Sequence, residues 1–220
     1  ASTLRCSAAD DIVRRALRHY ANTHSTLHAG ARIMTHLYEQ AHEIVGRFVD
    51  APDDYTTVFT GSGVTGGLNR MARVLAERRP ERDLVITTLM EHHANDLPHR
   101  KHVGEVVHVP LENDPDGEAG RVDLSALRAA IDEHADRLNY VAVTAASNVT
   151  GIVNPVHEVA RHAHAAGALC VVDAAQSAAH VPISVQGPDA AEALDVVCMS
   201  GHKLYAPGSP GVIVAREALF

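Results

Sequence analysis

A lysine and an aspartate each follow an apolar, strand-like segment, and together they suggest covalent chemistry with an aldehyde. Lys203 stands in the run Ser200-Gly201-His202-Lys203, directly after the apolar residues 194–199. A neutral lysine amine attacks an aldehyde to form a Schiff base. Asp173 ends the apolar segment 169–172 among alanines, so its carboxylate has few local cations to pair with. A protonated ring nitrogen would be such a partner, and the two residues therefore indicate pyridoxal phosphate.

Three further motifs follow strand-like segments and suit the same cofactor. The glycine-rich run 61–67 joins a strand to a helix, where free N–H groups and the helix dipole favour a phosphate. No Lys-Ser or Lys-Thr follows these glycines, so the run is not a Walker A loop. His92, in the run Glu91-His92-His93-Ala94-Asn95-Asp96, can lie flat on an aromatic ring and move protons. Asn148, in the run Ser147-Asn148-Val149-Thr150-Gly151, can donate a hydrogen bond to a phenolic oxygen.

Each of these features also has an ordinary structural interpretation. The glycines can simply form a tight turn, His92 can be a loop histidine, and Asn148 can shape a turn. Asp173 can cap a helix, and Lys203 can be a solvated surface lysine. Five cofactor-suited motifs after successive strands are less easily explained in this way. The order of the motifs therefore favours one cofactor site.

The elements that must position these residues alternate along the chain. Strand-like segments are predicted at 56–60, 84–87, 106–109, 140–144, 169–172, 194–199 and 211–214. Helices are predicted at 8–20, 30–49, 123–134 and 154–167, and another helix is predicted to follow Gly63. Residues 113–117 have the composition of a turn. Ser7 and Asn154 are the predicted N-caps of two of these helices. Apolar strands alternating with helices predict an α/β fold, a three-layer sandwich with a mostly parallel mixed sheet and helices on both faces. Ligands bind at the carboxyl ends of the strands in such sheets, which is where the motifs lie.

Composition narrows the classes of function. The chain has 220 residues, 46% of them hydrophobic, which is enough for the core of one domain. A net charge of -8 argues against nucleic acid as the main partner, and no apolar run approaches the roughly 20 residues that span a bilayer. Three widely spaced cysteines favour the reducing cytoplasm over a disulfide framework. There are 16 histidines, but those at 157, 162 and 164 do not share one tight helix face, so no metal site is predicted.

The motif set resembles the class V branch of the fold-type I pyridoxal-phosphate enzymes. This branch includes cysteine desulfurases, selenocysteine lyases and isopenicillin N epimerase-like proteins. The matching runs, in family order, are Gly63-Val64-Thr65, Glu91-His92-His93-Ala94-Asn95, Ser147-Asn148-Val149-Thr150-Gly151, Asp173-Ala174-Ala175-Gln176 and Ser200-Gly201-His202-Lys203-Leu204-Tyr205. The resemblance thus extends over most of the chain.

The resemblance implies roles for individual residues. Lys203 is implied to form the Schiff base and move protons, and His92 to stack on the cofactor ring. Asp173 is implied to pair with the ring nitrogen. The other implied cofactor contacts are Val64 (backbone), Thr65, Ser200 and His202 at the phosphate, and Gln176 and Asn148 at the ring oxygen or substrate. A spacing found near the substrate mouth of the desulfurase-like subgroup is matched by Asn22, His24 and His28.

The resemblance also implies a domain organisation. Residues 1–220 are expected to form the pyridoxal-phosphate-binding large domain, shortened at both ends, with the family's smaller C-terminal domain lying after residue 220. That small domain supplies the arginine for the substrate carboxylate and, in desulfurases, the nucleophilic cysteine. None of Cys6, Cys170 and Cys198 matches that cysteine. Cys170 and Cys198 lie in apolar segments and are predicted to be small core residues.

The implied function is cleavage of a carbon–sulfur or carbon–selenium bond in a small amino acid, as in cysteine desulfurases and selenocysteine lyases. A class V aminotransferase, an isopenicillin N epimerase-like enzyme and a non-catalytic module of the same fold remain alternatives. The family further implies a homodimer, and the desulfurase function implies a sulfur-acceptor protein as partner. Neither nucleic acid nor a membrane is expected to bind.

Overall fold

A seven-stranded mixed sheet organises the computed structural model, which describes residues 3–112 and 120–220. The strands are β1 (Tyr55–Thr60), β2 (Leu84–Thr88), β3 (Glu105–Val109), β4 (Leu138–Thr144), β5 (Leu169–Asp173), β6 (Val196–Ser200) and β7 (Gly211–Arg216). Their order across the sheet is β1-β7-β6-β5-β4-β2-β3. The turn predicted at 113–117 lies outside the described residues.

Six of the seven strands run in the same direction. β3, β2, β4, β5 and β6 pair in parallel, whereas β7 is antiparallel to both β6 and β1. The carboxyl ends of the six parallel strands therefore meet at one edge of the sheet. Strand β4 is buried along its whole length, as expected for a strand covered on both faces.

Helices cover both faces of the sheet, so the predicted three-layer α/β architecture is confirmed. The helices are α1 (Ser7–Leu17), α2 (Ala29–Phe48), α3 (Gly63–Arg78), α4 (Leu97–His102), α5 (Leu124–Glu133) and α6 (Val156–Ala165). Leu68, Met71 and Leu75 of α3 pack on one face of the sheet, in a cluster that includes Tyr140. Apolar residues of α5 and α6 pack on the other face, where Val141 and Val143 point. Alternate residues of β4 thus point to opposite faces of the sheet and contribute to two separate apolar clusters.

Two of the predicted helix caps are wrong. Cys6, not Ser7, precedes the first turn of α1, and no side chain caps that helix. Pro155 holds the N-cap position of α6, while the Asn154 side chain donates to the Thr144 carbonyl at 2.8 Å. Asn154 thus has another role, because a tertiary contact competes with local capping. Helix α4 was missed, although Pro98 lies in its first turn, where proline is favoured.

No helix among residues 3–112 and 120–220 is long and apolar enough to cross a membrane.

Candidate active site

A cavity of about 260 Å³ opens at the carboxyl edge of the sheet. All nine residues predicted to contact the cofactor line it: Val64, Thr65, His92, Asn148, Asp173, Gln176, Ser200, His202 and Lys203. They come from five separate segments that the parallel strands bring to the same edge. The fold therefore assembles the predicted set in one place.

Lys203 is held by a short turn that continues β6. The strand ends at Ser200, and residues Gly201–Lys203 form one turn of 3₁₀ helix, so the partly buried lysine stands directly above the strand end. Tyr205 follows with a φ of 61°, a left-handed conformation that is rare outside glycine. Its N–H donates to Thr3 Oγ1 at 3.0 Å, and its carbonyl accepts from the Cys6 N–H at 2.8 Å. The N-terminal segment thus fixes the loop after Lys203.

Asp173 presents a buried carboxylate at the end of β5. The residue is 3% exposed, and its Oδ1 accepts from the Ala175 N–H at 2.8 Å. Burial raises the pKa of Asp173, while the hydrogen bond from the Ala175 N–H and the positive charge of Lys203 act in the opposite direction. A cation in the cavity would stabilise the ionised form of this carboxylate.

The first turn of α3 and the end of β6 form a polar cradle at another part of the cavity. Gly63 opens the helix with a φ of 60°, and a Cβ there would lie 2.8 Å from His202 Cε1 and 3.0 Å from Ser200 Oγ. The Val64 N–H donates to Ser200 Oγ at 2.8 Å. This bond differs from the direct phosphate contact expected of the Val64 backbone. Because Ser200 Oγ accepts that bond, its own hydroxyl proton remains available for a ligand.

His92 and Asn148 lie on exposed turns at the mouth of the cavity. The Ala94 N–H donates to His92 Nδ1 at 3.0 Å, so this ring nitrogen is the acceptor. In the turn that carries Asn148, Ser147 Oγ accepts the N–H groups of Val149 and Thr150, both at 3.2 Å. Ser147 therefore shapes this turn, and the Asn148 side chain is not needed for it.

The predicted substrate residues Asn22, His24 and His28 are not among the residues that line the cavity. All three are exposed in the connection between α1 and α2. His28 Nδ1 accepts from the Ala31 N–H at 3.3 Å and so caps α2. The His24 ring lies edge-on to Tyr38, with 5.0 Å between ring centroids. Each histidine thus has a local structural partner in this chain.

Five residues that the sequence interpretation left without a role also line the cavity: Ser62, Ala94, Thr144, Ala146 and Ala175. Thr144 ends β4, and its position at a strand end is the feature of the sequence that could have indicated a place in the site. Ala94 and Ala175 lie inside recognised motifs and Ala146 directly precedes one, and these small residues leave room for a ligand.

Glu91, just outside the cavity lining, was also left without a role, although it opens one of the recognised motifs. Its carboxylate accepts from Thr88 Oγ1 at 2.8 Å, the Thr144 N–H at 3.0 Å and Asn95 Nδ2 at 2.6 Å. The residue keeps some exposed surface, but these three partners are all buried. Burial of the carboxyl raises the pKa of Glu91 to about 8. The residue type of Glu91 alone does not predict this role, because two of its partners, Thr88 and Thr144, belong to β2 and β4.

The cysteines divide into two kinds. Cys170 and Cys198 are fully buried in β5 and β6, as predicted, and burial raises the pKa of both thiols. Neither thiol is placed to act as a nucleophile. Cys6 is exposed at the start of α1. Within the described parts of the chain, no group of three or more His, Cys, Asp or Glu side chains is arranged to hold a metal ion.

Three-layer α/β domains with a ligand cavity at the carboxyl ends of parallel strands form a large class, and this chain is one of them. Within that class the chain belongs to the aminotransferase class-V family, because the model of that family matches residues 1–220.

Solved structures agree with this assignment. A cysteine desulfurase of Thermococcus onnurineus superimposes with a TM-score of 0.82 at 29% identity, over 100% of this chain and 52% of its own. A cysteine desulfurase of Escherichia coli gives a TM-score of 0.78 at 30% identity, over 99% of this chain and 53% of its own.

Curated relatives carry the same name. A cysteine desulfurase of Dickeya dadantii is 36% identical over 92% of this chain and 47% of its own length. A probable cysteine desulfurase of Streptomyces coelicolor is 33% identical over 92% of this chain and 47% of its own length. The chain thus spans about half the length of the curated relatives it matches.

Proposed function

We propose that the protein carrying this chain is a pyridoxal-phosphate-dependent cysteine desulfurase, which converts cysteine to alanine and passes the sulfur to an acceptor thiol. One observation carries the proposal: Lys203, Asp173 and the first turn of α3 meet at a single cavity. The similarity to proteins named cysteine desulfurase supports this substrate over that of the aminotransferases and epimerases.

The residues present fit the cofactor at both of its ends. The missing Cβ of Gly63 lets Ser200 Oγ and the His202 ring lie close to the N-terminus of a 16-residue helix, an arrangement that suits a phosphate. Asp173 supplies a buried carboxylate whose raised pKa calls for a cationic partner, which suits a protonated pyridine nitrogen. Lys203 supplies the amine for the aldehyde carbon.

Each residue then has a task. Bound pyridoxal phosphate supplies an electron sink for the bonds at the substrate's α-carbon. Lys203 anchors the cofactor and carries a proton to or from that carbon. The Asp173 carboxylate keeps the ring nitrogen protonated, and the Ala175 N–H holds this carboxylate in place. Ser200, Thr65 and His202 bind the phosphate, while His92 covers one face of the ring.

The sulfur needs an acceptor thiol as it leaves. Cys170 and Cys198 are buried core residues, so we place the acceptor outside the described strands. A sulfur-acceptor protein, a homodimeric state and a location in the cytoplasm belong to the same proposal. Each is supported by the resemblance to desulfurases or, for the cytoplasm, by the unpaired cysteines.

A single titration tests both the cofactor and the reaction. Adding pyridoxal phosphate to the intact protein is expected to give a Schiff-base absorption band, and cysteine with dithiothreitol as reductant is expected to yield alanine and sulfide in equal amounts. Lys203→Ala should abolish the band and lower turnover by at least about a thousandfold, because the proton carrier is lost together with the anchor. The exposed Lys101→Ala is the matched control and should change neither.

A band that survives in Lys203→Ala would contradict the lysine assignment. Amino transfer or racemisation without sulfide would favour an aminotransferase or an epimerase-like enzyme. Absence of turnover with an intact band would indicate a non-catalytic module.

A further inference from the structure

A buried hydrogen-bonded relay runs behind the turn that carries His92. It connects Tyr140 of β4, His99 of α4, Asn95 and Glu91. Tyr140 Oη lies 2.8 Å from His99 Nδ1, and His99 Nε2 lies 3.1 Å from Asn95 Oδ1. Asn95 Nδ2 lies 2.6 Å from Glu91 Oε2. Tyr140, His99 and Asn95 are at most 1% exposed, so each of these polar groups depends on the next for a partner.

The Tyr140 end of the relay requires one direction of donation. Among the described residues, His99 Nδ1 is the partner of the Tyr140 hydroxyl. For the hydroxyl proton to be used, Tyr140 must donate and His99 Nδ1 must accept. Burial lowers the pKa of His99 to about 4, so the ring is neutral at physiological pH and carries its one proton on Nε2. That Nε2–H then donates to Asn95 Oδ1.

The Glu91 end requires the same direction. Its carboxylate Oε1 is occupied by the Thr88 hydroxyl and the Thr144 N–H, and Oε2 faces Asn95. Above the Glu91 pKa of about 8 the side chain is ionised and both of its oxygens accept, so Asn95 must turn its NH₂ group to Glu91 and its oxygen to His99. Both ends therefore agree, and each polar side-chain atom of the relay has a partner.

The relay ends on the turn that carries His92, one of the residues that line the cavity. Glu91 and Asn95 bracket the 3₁₀ turn His93–Asn95, and their bond closes the backbone between them. His92 lies inside this closed segment and receives the Ala94 N–H, which orients its ring. The Thr144 N–H ties the same carboxylate to the end of β4, beside Asp173.

We propose that Glu91 is a positioning residue: its two acceptor oxygens set the direction of the Tyr140–His99–Asn95 relay and thereby hold His92 in place over the cavity. The proposal rests on the proposed function for its consequence at the cofactor. The relay itself is independent of any ligand and can be tested without one.

Glu91→Gln tests the direction. A glutamine places an NH₂ group either against the Thr144 N–H or against the Asn95 NH₂, and two donors cannot face each other. The structure can respond by rotating the Asn95 amide. His99 Nε2 must then accept, the ring proton moves to Nδ1, and the Tyr140 hydroxyl becomes an acceptor. The variant should therefore exchange the tautomer of one buried histidine.

Nitrogen-15 NMR of histidine-labelled, cofactor-free intact protein measures this exchange. His99 is expected as the Nε2–H tautomer at about pH 9.5, where Glu91 is ionised, in the wild type and in the exposed control Glu133→Gln, and as the Nδ1–H tautomer in Glu91→Gln. The His99→Gln spectrum assigns the signal. An Nδ1–H or doubly protonated His99 in the wild type overturns the proposal, whether or not Glu91→Gln folds. An unchanged tautomer in a folded Glu91→Gln overturns it as well.

The consequence at the cofactor is measured by fluorescence titration with pyridoxal phosphate. Glu91→Gln should weaken its binding by about tenfold, on the scale of outer-shell substitutions at metal sites. In a His92→Ala background the same substitution should have no further effect, because it acts through His92. Equal losses in both backgrounds would refute the positioning role. If the wild type itself binds no pyridoxal phosphate, the proposed function fails while the NMR result still decides the relay.

Discussion

At the scale of single residues, the cavity and the loop beside it contain groups whose placement is unfavourable for the cofactor-free fold. Asp173 holds a carboxylate in the interior, and Tyr205, two residues after Lys203, takes a left-handed φ of 61°. Strain and buried charge of this kind cluster at functional sites. Residue types, motif order and the family resemblance together were sufficient to predict nine of the residues that line the cavity. They did not predict the roles of Glu91, His99 and Tyr140, because these roles depend on the hydrogen-bond partners that the fold brings to each side chain.

Asp173→Asn should stabilise the cofactor-free protein. The pKa of Asp173 is raised by burial, so the stability it contributes is present below its unfolded pKa of about 3.9 and lost as pH rises through the folded value. At pH 7.5 the ionised carboxylate is therefore unfavourable, and asparagine removes the charge while its oxygen keeps the Ala175 N–H bond. We expect a melting temperature about 2–4 °C higher, corresponding to roughly 1 kcal/mol. Thermal unfolding at pH 7.5 and pH 4 measures the effect, which should be much smaller at the lower pH.

When pyridoxal phosphate is added, Asp173→Asn should lower the melting temperature relative to the wild type instead of raising it. The wild type gains a charge pair on binding and the variant does not, so the ligand-induced rise in melting temperature should be smaller in Asp173→Asn. A cofactor-free variant that melts lower than the wild type at pH 7.5 would show that Asp173 is already paired within the chain.

At the scale of elements, the two ends of the central strands differ in electrostatics. Opposite the cavity, Asp195 just before β6 is 3% exposed and accepts from His164 Nε2 at 2.7 Å, the Cys170 N–H at 2.8 Å and Arg216 Nε at 2.9 Å. Burial alone would raise the pKa of Asp195, but these bonds together lower it. This pairing connects α6, β5 and β7. The strands and helices were predictable from apolar periodicity, whereas this cluster and the caps of α1 and α6 were not, since they depend on contacts between distant segments.

Asp195→Asn should destabilise the protein, which is the opposite of Asp173→Asn. Removing the charge leaves His164 and Arg216 without their partner and should cost about 3 kcal/mol. The Asp195 contribution is present above its unfolded pKa of about 3.9. The pKa of His164 is raised by its bond to Asp195, so its contribution is present below about 6.5 and lost as pH rises through the folded value. Urea unfolding should therefore show a larger loss at pH 5.5 than at pH 8.5, and an equal loss at both would exclude a charged His164.

At the scale of the whole molecule, the sheet and helices α3, α5 and α6 supply the buried apolar clusters, whereas α1 has no buried residue and α2 has only Ala31. Residues of α1 are all at least partly exposed, and Ile12, Val13 and Leu17 are between 56% and 59% exposed. The helix nevertheless begins at the segment that fixes the loop after Lys203. The alternation of strands and helices predicted the three-layer sandwich. It could not predict which apolar surfaces remain exposed, because the sequence pattern of an amphipathic helix is the same whether its apolar face packs on its own core or on another surface.

We expect the protein to be a homodimer in which the apolar face of α1 contacts the second copy. The family resemblance implies a dimer with its active sites near the interface, and α1 adjoins the turn that carries Lys203. Placing a charge in this face, as in Ile12→Asp, should weaken association by at least about tenfold, because an unpaired charge cannot be buried at an apolar interface. Sedimentation equilibrium measures the association constant, and Asp11→Asn on the same helix is the control that should leave it unchanged. A variant that remains dimeric with wild-type affinity would instead mean that α1 packs against other parts of its own chain.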